Sequence, residues 1–148
     1  MRGTASIKVK KPVEEVWKFI SDLENGSQWL DGVSTIEPTS EGENAVGATF
    51  KTVYRFDGKS HETSYLLMAF EPPHRISYRV LGGPHPAFNR LELKSAGDST
   101  EVKHMMEMDM DRRNLGAVTL GLGPLVRLSI MFKLRKDLKK LKVRLEAS

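Results

Sequence analysis

No cysteine occurs anywhere in the chain. Disulfides and thiolate metal sites are therefore excluded, and the apolar core has to hold the fold. Long apolar runs are missing too, since no uninterrupted stretch approaches the roughly 20 residues that a membrane-spanning helix requires. Met1-Arg2-Gly3-Thr4 leads straight into a strand-like alternation, without the apolar core or cleavage site of a secretory signal. A soluble, cytoplasmic protein is the expectation. Catalytic fingerprints are lacking as well: there is no G-x-S-x-G motif, phosphate-binding loop or dinucleotide fingerprint, so a nucleophilic hydrolase or nucleotide enzyme has no support. His61, His74, His85 and His104 share no metal-ligand spacing and no short acidic cluster accompanies them. Neither a metal nor a cofactor is expected.

What is present fits one domain over residues 1–148, with 39% hydrophobic and 28% charged residues. A chain of this length buries about two-thirds of its unfolded surface. The net charge of +4 is unevenly placed. Residues 127–148 hold eight basic side chains against Asp137 and Glu146, a sum of +6, which leaves −2 for the first 126 residues. The basic character belongs to one segment.

Residues 5–10 alternate, with Ala5, Ile7 and Val9 on one face, as in a strand with one buried side. Pro12 suits a helix start, Glu14 and Glu15 complement its positive end, and Val13, Val16, Trp17 and Ile20 form its apolar stripe. Asn25-Gly26 is expected to end this helix through a left-handed backbone. Trp29 is assigned to a second short helical turn. From 33 to 111 the chain reads as strands near 33–39, 46–56, 59–70, 75–81, 87–95 and 100–110, with turns at Gly42-Glu43-Asn44, Asp57-Gly58, Pro72-Pro73, Gly82-Gly83-Pro84 and Gly97-Asp98. Such short spacings favour antiparallel hairpins over parallel crossovers. Past the glycines at 116, 121 and 123, an uninterrupted helix is predicted from Pro124 to Ala147. Its apolar stripe is Leu128, Met131, Leu134, Leu138, Leu141 and Leu145.

The expected fold is α+β: a seven-stranded, curled antiparallel sheet around a long C-terminal helix, with two short helices after the first strand. A curled sheet covered by one helix seldom closes along its full length, so an internal apolar cavity is the expected by-product. The residues also carry a resemblance. The opening strand followed by Lys11-Pro12-Val13-Glu14-Glu15-Val16-Trp17 resembles the start of the START-like, polyketide cyclase/dehydrase-type (SRPBCC) superfamily. Asp22, Trp29 before a strand, Gly47 before "ATFKTVYRF", Glu71 to Tyr78, Ser99-Thr100-Glu101-Val102 and the leucine-rich final helix continue the match. The resemblance implies a helix-grip fold with a deep hydrophobic cavity. Its motifs are structural and none is a catalytic signature. Members range from lipid carriers and hormone receptors to aromatase/cyclases, so the fold does not choose a function.

Alternation places Phe50, Thr52, Tyr54 and Phe56 toward the helix on one strand, and Ile76, Tyr78 and Val80 on another. Val102, His104, Met106, Met108 and Met110 face inward on the last, with Met105 opposite. The candidate ligand-binding set is Trp29, Phe50, Tyr54, Phe56, Tyr65, Tyr78, Phe88, Arg90, His104, Met106, Met108, Leu128 and Met131. Methionines supply an adaptable apolar wall, or simply fill the core. His104 is open to two roles, a satisfied core histidine or a general acid/base facing a ligand. Arg90 either pairs with a ligand anion or sits as a solvated edge charge. Tyr54, Tyr65 and Tyr78 offer hydroxyls on apolar bodies. The apolar segment from Gly116 to Pro124 reads either as a gate or as a linker. The basic face of the last helix is a solvated face or a contact for anionic lipid headgroups; nucleic acid is the weaker alternative, because few aromatics interleave with the charges. Carriage of a lipid-like or aromatic hydrophobe is the leading expectation. A cyclase, dehydratase or isomerase and a partner-binding domain are its rivals.

Overall fold

The computed structural model describes residues 1–109, 116 and 119–147. Met110, assigned above to the last strand, and Ala117 and Val118, within the segment read as a gate or linker, lie outside them. Seven strands follow the expected order: β1 (Arg2–Val9), β2 (Val33–Pro38), β3 (Thr49–Phe56), β4 (Lys59–Glu71), β5 (Arg75–Leu81), β6 (Ala87–Ala96) and β7 (Ser99–Met108). Helix α1 (Val13–Ser21) and a 3-10 helix (Leu23–Gln28) separate β1 from β2, and α2 (Gly123–Glu146) comes last. The strands form one sheet in the order β1-β7-β6-β5-β4-β3-β2, with every neighbouring pair antiparallel. Tight hairpins explain most of that order. Asp57 and Gly58 take φ of 53° and 73°, the left-handed pair that matches strand twist in a two-residue turn.

Three boundaries differ from the sequence reading. β1 begins at Arg2 because residues 2–4 pair with Glu107, Met106 and Met105, an interaction that local alternation does not reveal. β3 begins at Thr49, since Gly47 with φ of 95° redirects the chain just before it. Asn25-Gly26 does not end α1 but lies inside the 3-10 helix. Gly26 is needed there for closeness: a Cβ on it would lie 2.7 Å from Ile36 Cδ1.

The core fills the space between the concave face of the sheet and the helices. Val9, Val16, Leu67, Ile76, Leu91, Val102, Leu134, Leu138 and Leu141 are essentially inaccessible. α1 buries Val13, Val16, Trp17 and Ile20, the stripe expected from its spacing, and Trp17 packs on Phe70 at 5.4 Å between ring centres. In α2 the C-terminal leucines behave as expected, but the stripe shifts upstream. Ile130 is buried while Leu128 is 43% exposed and Met131 only half-buried. Helical period accounts for this, since Ile130 lies within about 40° of Leu134 and Leu141 around the axis and Leu128 about 120° or more away. Gly3 of β1 gives Ile130 room, because a Cβ there would stand 2.6 Å from Ile130 Cγ2.

Candidate functional site

Beyond Ile130 toward its N-terminus, α2 parts from the sheet and leaves a cavity of about 690 Å³. β3 contributes Tyr54 and Phe56, β4 Thr63 and Tyr65, β5 Tyr78 and Val80, β6 Asn89, and β7 Met106 and Met108. The roof is Leu122, Leu125, Val126, Ser129, Ile130 and Lys133 of α2. Leu30, Asp31 and Val33 close one side, and Arg55, Asp57, Pro84 and His85 stand at the β3–β4 hairpin end. The cross-strand pairs Tyr78↔Asn89 and Asn89↔Met106 put these three side chains in one row across the floor. Tyr65 and Tyr78 stack at 4.8 Å and 26°. Near the hairpin, Tyr54 and Phe56 are nearly parallel at 6.3 Å, and His85 meets the Phe56 ring edge-on at 4.4 Å.

Six residues expected from the sequence therefore come together in the wall: Tyr54, Phe56, Tyr65, Tyr78, Met106 and Met108. Others are placed elsewhere. Phe50 and Trp29 are 3% exposed and belong to the packed core. Phe88 and Arg90 lie on the convex face, because their neighbour Asn89 faces the cavity and side chains alternate along β6. There the Arg79 guanidinium covers the Phe88 ring, and Arg90 Nε stands 3.0 Å from Glu92, so Arg90 does not line the cavity. Leu128 points outward, and Met131 is not part of the wall. Met105 is on the face opposite His104, yet only 5% exposed.

His104 faces inward but stands one layer behind the cavity. It is fully buried, its Nε2 lies 2.9 Å from Asn89 Oδ1, and the Trp29 ring meets it edge-on. Burial, helped by the positive charge of Lys133, pushes its pKa down to about 3. The ring is therefore neutral, with a proton to donate to Asn89 and no access to a bound molecule. That position does not suit a general acid/base. Asn89, 1% exposed, is the residue that reaches the cavity in its place. Its signal was present in the sequence, because it shares the face of Leu91 and Leu93.

Lys133 and Asp137 are the second polar element, and sequence reasoning missed them. Asp137 is completely buried in the middle of α2. Its carboxylate accepts from the Asp31 amide at 3.0 Å and from Lys133 Nζ at 2.6 Å, one helical turn earlier. The only hint was the i, i+4 spacing within a basic run. Burial raises the pKa of all three cavity tyrosines, and the Asp137 charge adds to the effect in each. They stay protonated and keep a hydrogen to donate. Thr52 and Thr63 hydrogen-bond to each other beneath them. Among the described residues, no three His, Asp or Glu side chains cluster as metal ligands, and no helix is long and apolar enough to cross a membrane.

A curled antiparallel sheet gripping one long helix above a lined cavity defines the START-like class. The chain belongs to the family described as polyketide cyclase / dehydrase and lipid transport, whose profile matches residues 1–146. Solved structures repeat the fold. A START superfamily protein from Mycobacterium smegmatis superimposes with a TM-score of 0.79 at 17% identity, covering 99% of this chain and 97% of that one. TTHA0849 from Thermus thermophilus gives 0.78 at 18% identity, covering 99% and 98%. The Zhui aromatase/cyclase from a Streptomyces species gives 0.70 at 14%, covering 99% and 93%. No curated protein sequence matches significantly.

Proposed function

We propose that this protein binds and carries a hydrophobic small molecule, lipid-like or aromatic, in the space beneath the N-terminal half of α2. The carrying observation is the cavity itself, about 690 Å³ walled mainly by aromatic, methionine and aliphatic side chains. That volume lies within the range of small-molecule sites, roughly 300–1,000 Å³. The polar groups at its deep end, the Tyr65 and Tyr78 hydroxyls and the Asn89 amide, are neutral hydrogen-bonding groups rather than an acid/base pair, which favours binding over a cyclase, dehydratase or isomerase reaction. Native mass spectrometry of protein purified without detergent is expected to show a bound apolar molecule, and the emptied protein should take up an environment-sensitive dye. Empty protein that also refuses the dye would favour a partner-binding domain instead.

A membrane surface is the proposed source of the ligand. Leu125, Leu128 and Phe132 recur at i, i+3 and i+7 and are 61%, 43% and 59% exposed, on the helix that roofs the cavity. Arg135, Lys136 and Lys139 continue the same face, so an apolar patch runs into a basic one. Co-sedimentation with vesicles containing phosphatidylserine, and its absence with phosphatidylcholine alone, tests this. Equal behaviour toward both would sink it.

A further inference from the structure

The deep cavity offers a bound molecule several groups able to donate hydrogen bonds. Asp137 spends its acceptor oxygens on the Asp31 amide and Lys133, and Asn89 Oδ1 faces His104 Nε2. Left over are two hydroxyls and an amide NH2, all able to donate. Tyr65 and Tyr78 are 5% and 3% exposed, line the cavity, and have no hydrogen-bond partner for their hydroxyls among the described residues. The Asn89 amide nitrogen is likewise unengaged among those residues while the residue lines the wall. These groups open into the cavity, where a bound molecule would replace water as their partner. A ligand that supplies acceptor oxygens would complete this set.

Charge selects between kinds of acceptor. Of the two cations in the wall, Arg55 stands at the hairpin end and Lys133 is already paired with Asp137. The negative field of Asp137 reaches Tyr54, Tyr65 and Tyr78, so a carboxylate placed among those hydroxyls would be both desolvated and repelled. A neutral carbonyl accepts the same hydrogen bonds without that penalty.

We infer that the deep end of the cavity is a carbonyl clamp, in which Tyr65, Tyr78 and Asn89 donate to the neutral carbonyl oxygen of the bound hydrophobe and His104 is a positioning residue that holds the Asn89 amide with its NH2 toward the ligand. The orientation follows from donor arithmetic. A neutral His104 donating through Nε2 needs an acceptor, which fixes Oδ1 on the histidine and turns Nδ2 to the cavity. Its Nδ1 is left buried without a partner, a bare lone pair rather than an orphaned N–H.

This inference rests on the binding reading above, and three probes of one shape separate the two. They are 2-acetylnaphthalene, 2-naphthoate and 2-ethylnaphthalene, titrated into the emptied protein by fluorescence. The ketone is expected to bind at least about tenfold more tightly than the ethyl compound, as two or more hydrogen bonds would give, and more tightly than the naphthoate. Its carbonyl stretching band should shift to lower frequency on binding. Tyr78→Phe and Asn89→Leu should each reduce the ketone preference about fivefold, with 2-ethylnaphthalene affinity unchanged. His104→Leu should lose the preference and part of the infrared shift, while His104→Gln, which can still donate to Oδ1, should restore both. Equal affinity for all three probes, a preference for naphthoate, or an undiminished preference in Tyr65→Phe/Tyr78→Phe would overturn the clamp while leaving hydrophobe binding intact. Binding of none of the three would overturn the binding reading itself.

Discussion

The two halves of α2 rest on the same sheet and do opposite things. Toward the C-terminus, Leu134, Leu138, Leu141 and Leu145 meet β1, β7 and α1 in a solid core, and Arg144 covers Phe19 at 5.5 Å to pin the helix end. Toward the N-terminus, Val126, Ser129 and Lys133 occupy the equivalent inward positions and a cavity takes the place of the core. One helix thus provides both stability and vacancy, and the change falls between Ile130 and Leu134. The lesson is that short, polar or snorkelling side chains at inward positions mark a binding half as clearly as any motif.

Substitutions can break this contrast. Leu141→Ala, at a site with 0% exposure, should destabilise by about 2–5 kcal/mol in denaturant melts, whereas Met108→Ala in the cavity wall should lose about 1 kcal/mol or less, because a void already adjoins it. Equal losses would mean the halves are not different. Lys133→Met leaves Asp137 buried with only the Asp31 amide, and should lose roughly 2 kcal/mol, less than a fully buried pair because Lys133 is 29% exposed.

Acidity offers a third measurement. Unfolded, His104 would take up a proton below its ordinary value of 6.5, while folded it refuses one until about 3. Its contribution is therefore complete above pH 6.5 and is lost as pH falls toward 3, with a slope of about 1.4 kcal/mol per unit. His104→Leu should flatten the stability curve between pH 6.5 and 5, above the range where most carboxylates titrate. The groups around His104 there are Asn89, Trp29 and Lys133. Smallest of all, Phe132→Ser should move stability by no more than about 0.5 kcal/mol, since the ring is 59% exposed, yet reduce sedimentation with anionic vesicles.

Period and turn chemistry carried most of the architecture. Alternation found β3 to β7 to within a few residues, and Asp57-Gly58 specified its hairpin, because both signals are local. What failed was non-local. Arg2–Thr4 are recruited by β7, and Ile130 packs where Gly3 leaves room, neither of which a sequence window contains. The site divides the same way. Tyr54, Tyr65, Tyr78 and the methionines were legible as apolar inward positions, whereas Asn89 and Lys133 look like ordinary polar residues until a cavity gives them a role. Arg90 illustrates the one-residue hazard of strands, where its neighbour holds the position it was expected to fill.

The pairing of β1 with β7 has a further consequence, in time rather than space. Arg2 pairs opposite Glu107, so β1 finds its one sheet neighbour among the described residues about a hundred residues later in the chain, and its covering helix later still. During synthesis β2 to β6 can pair as each hairpin emerges, while β1 waits. Closure of so long a loop is expected to make the docking of β1 a slow, late event of folding. Amide exchange during refolding should accordingly protect β3 and β4 before β1.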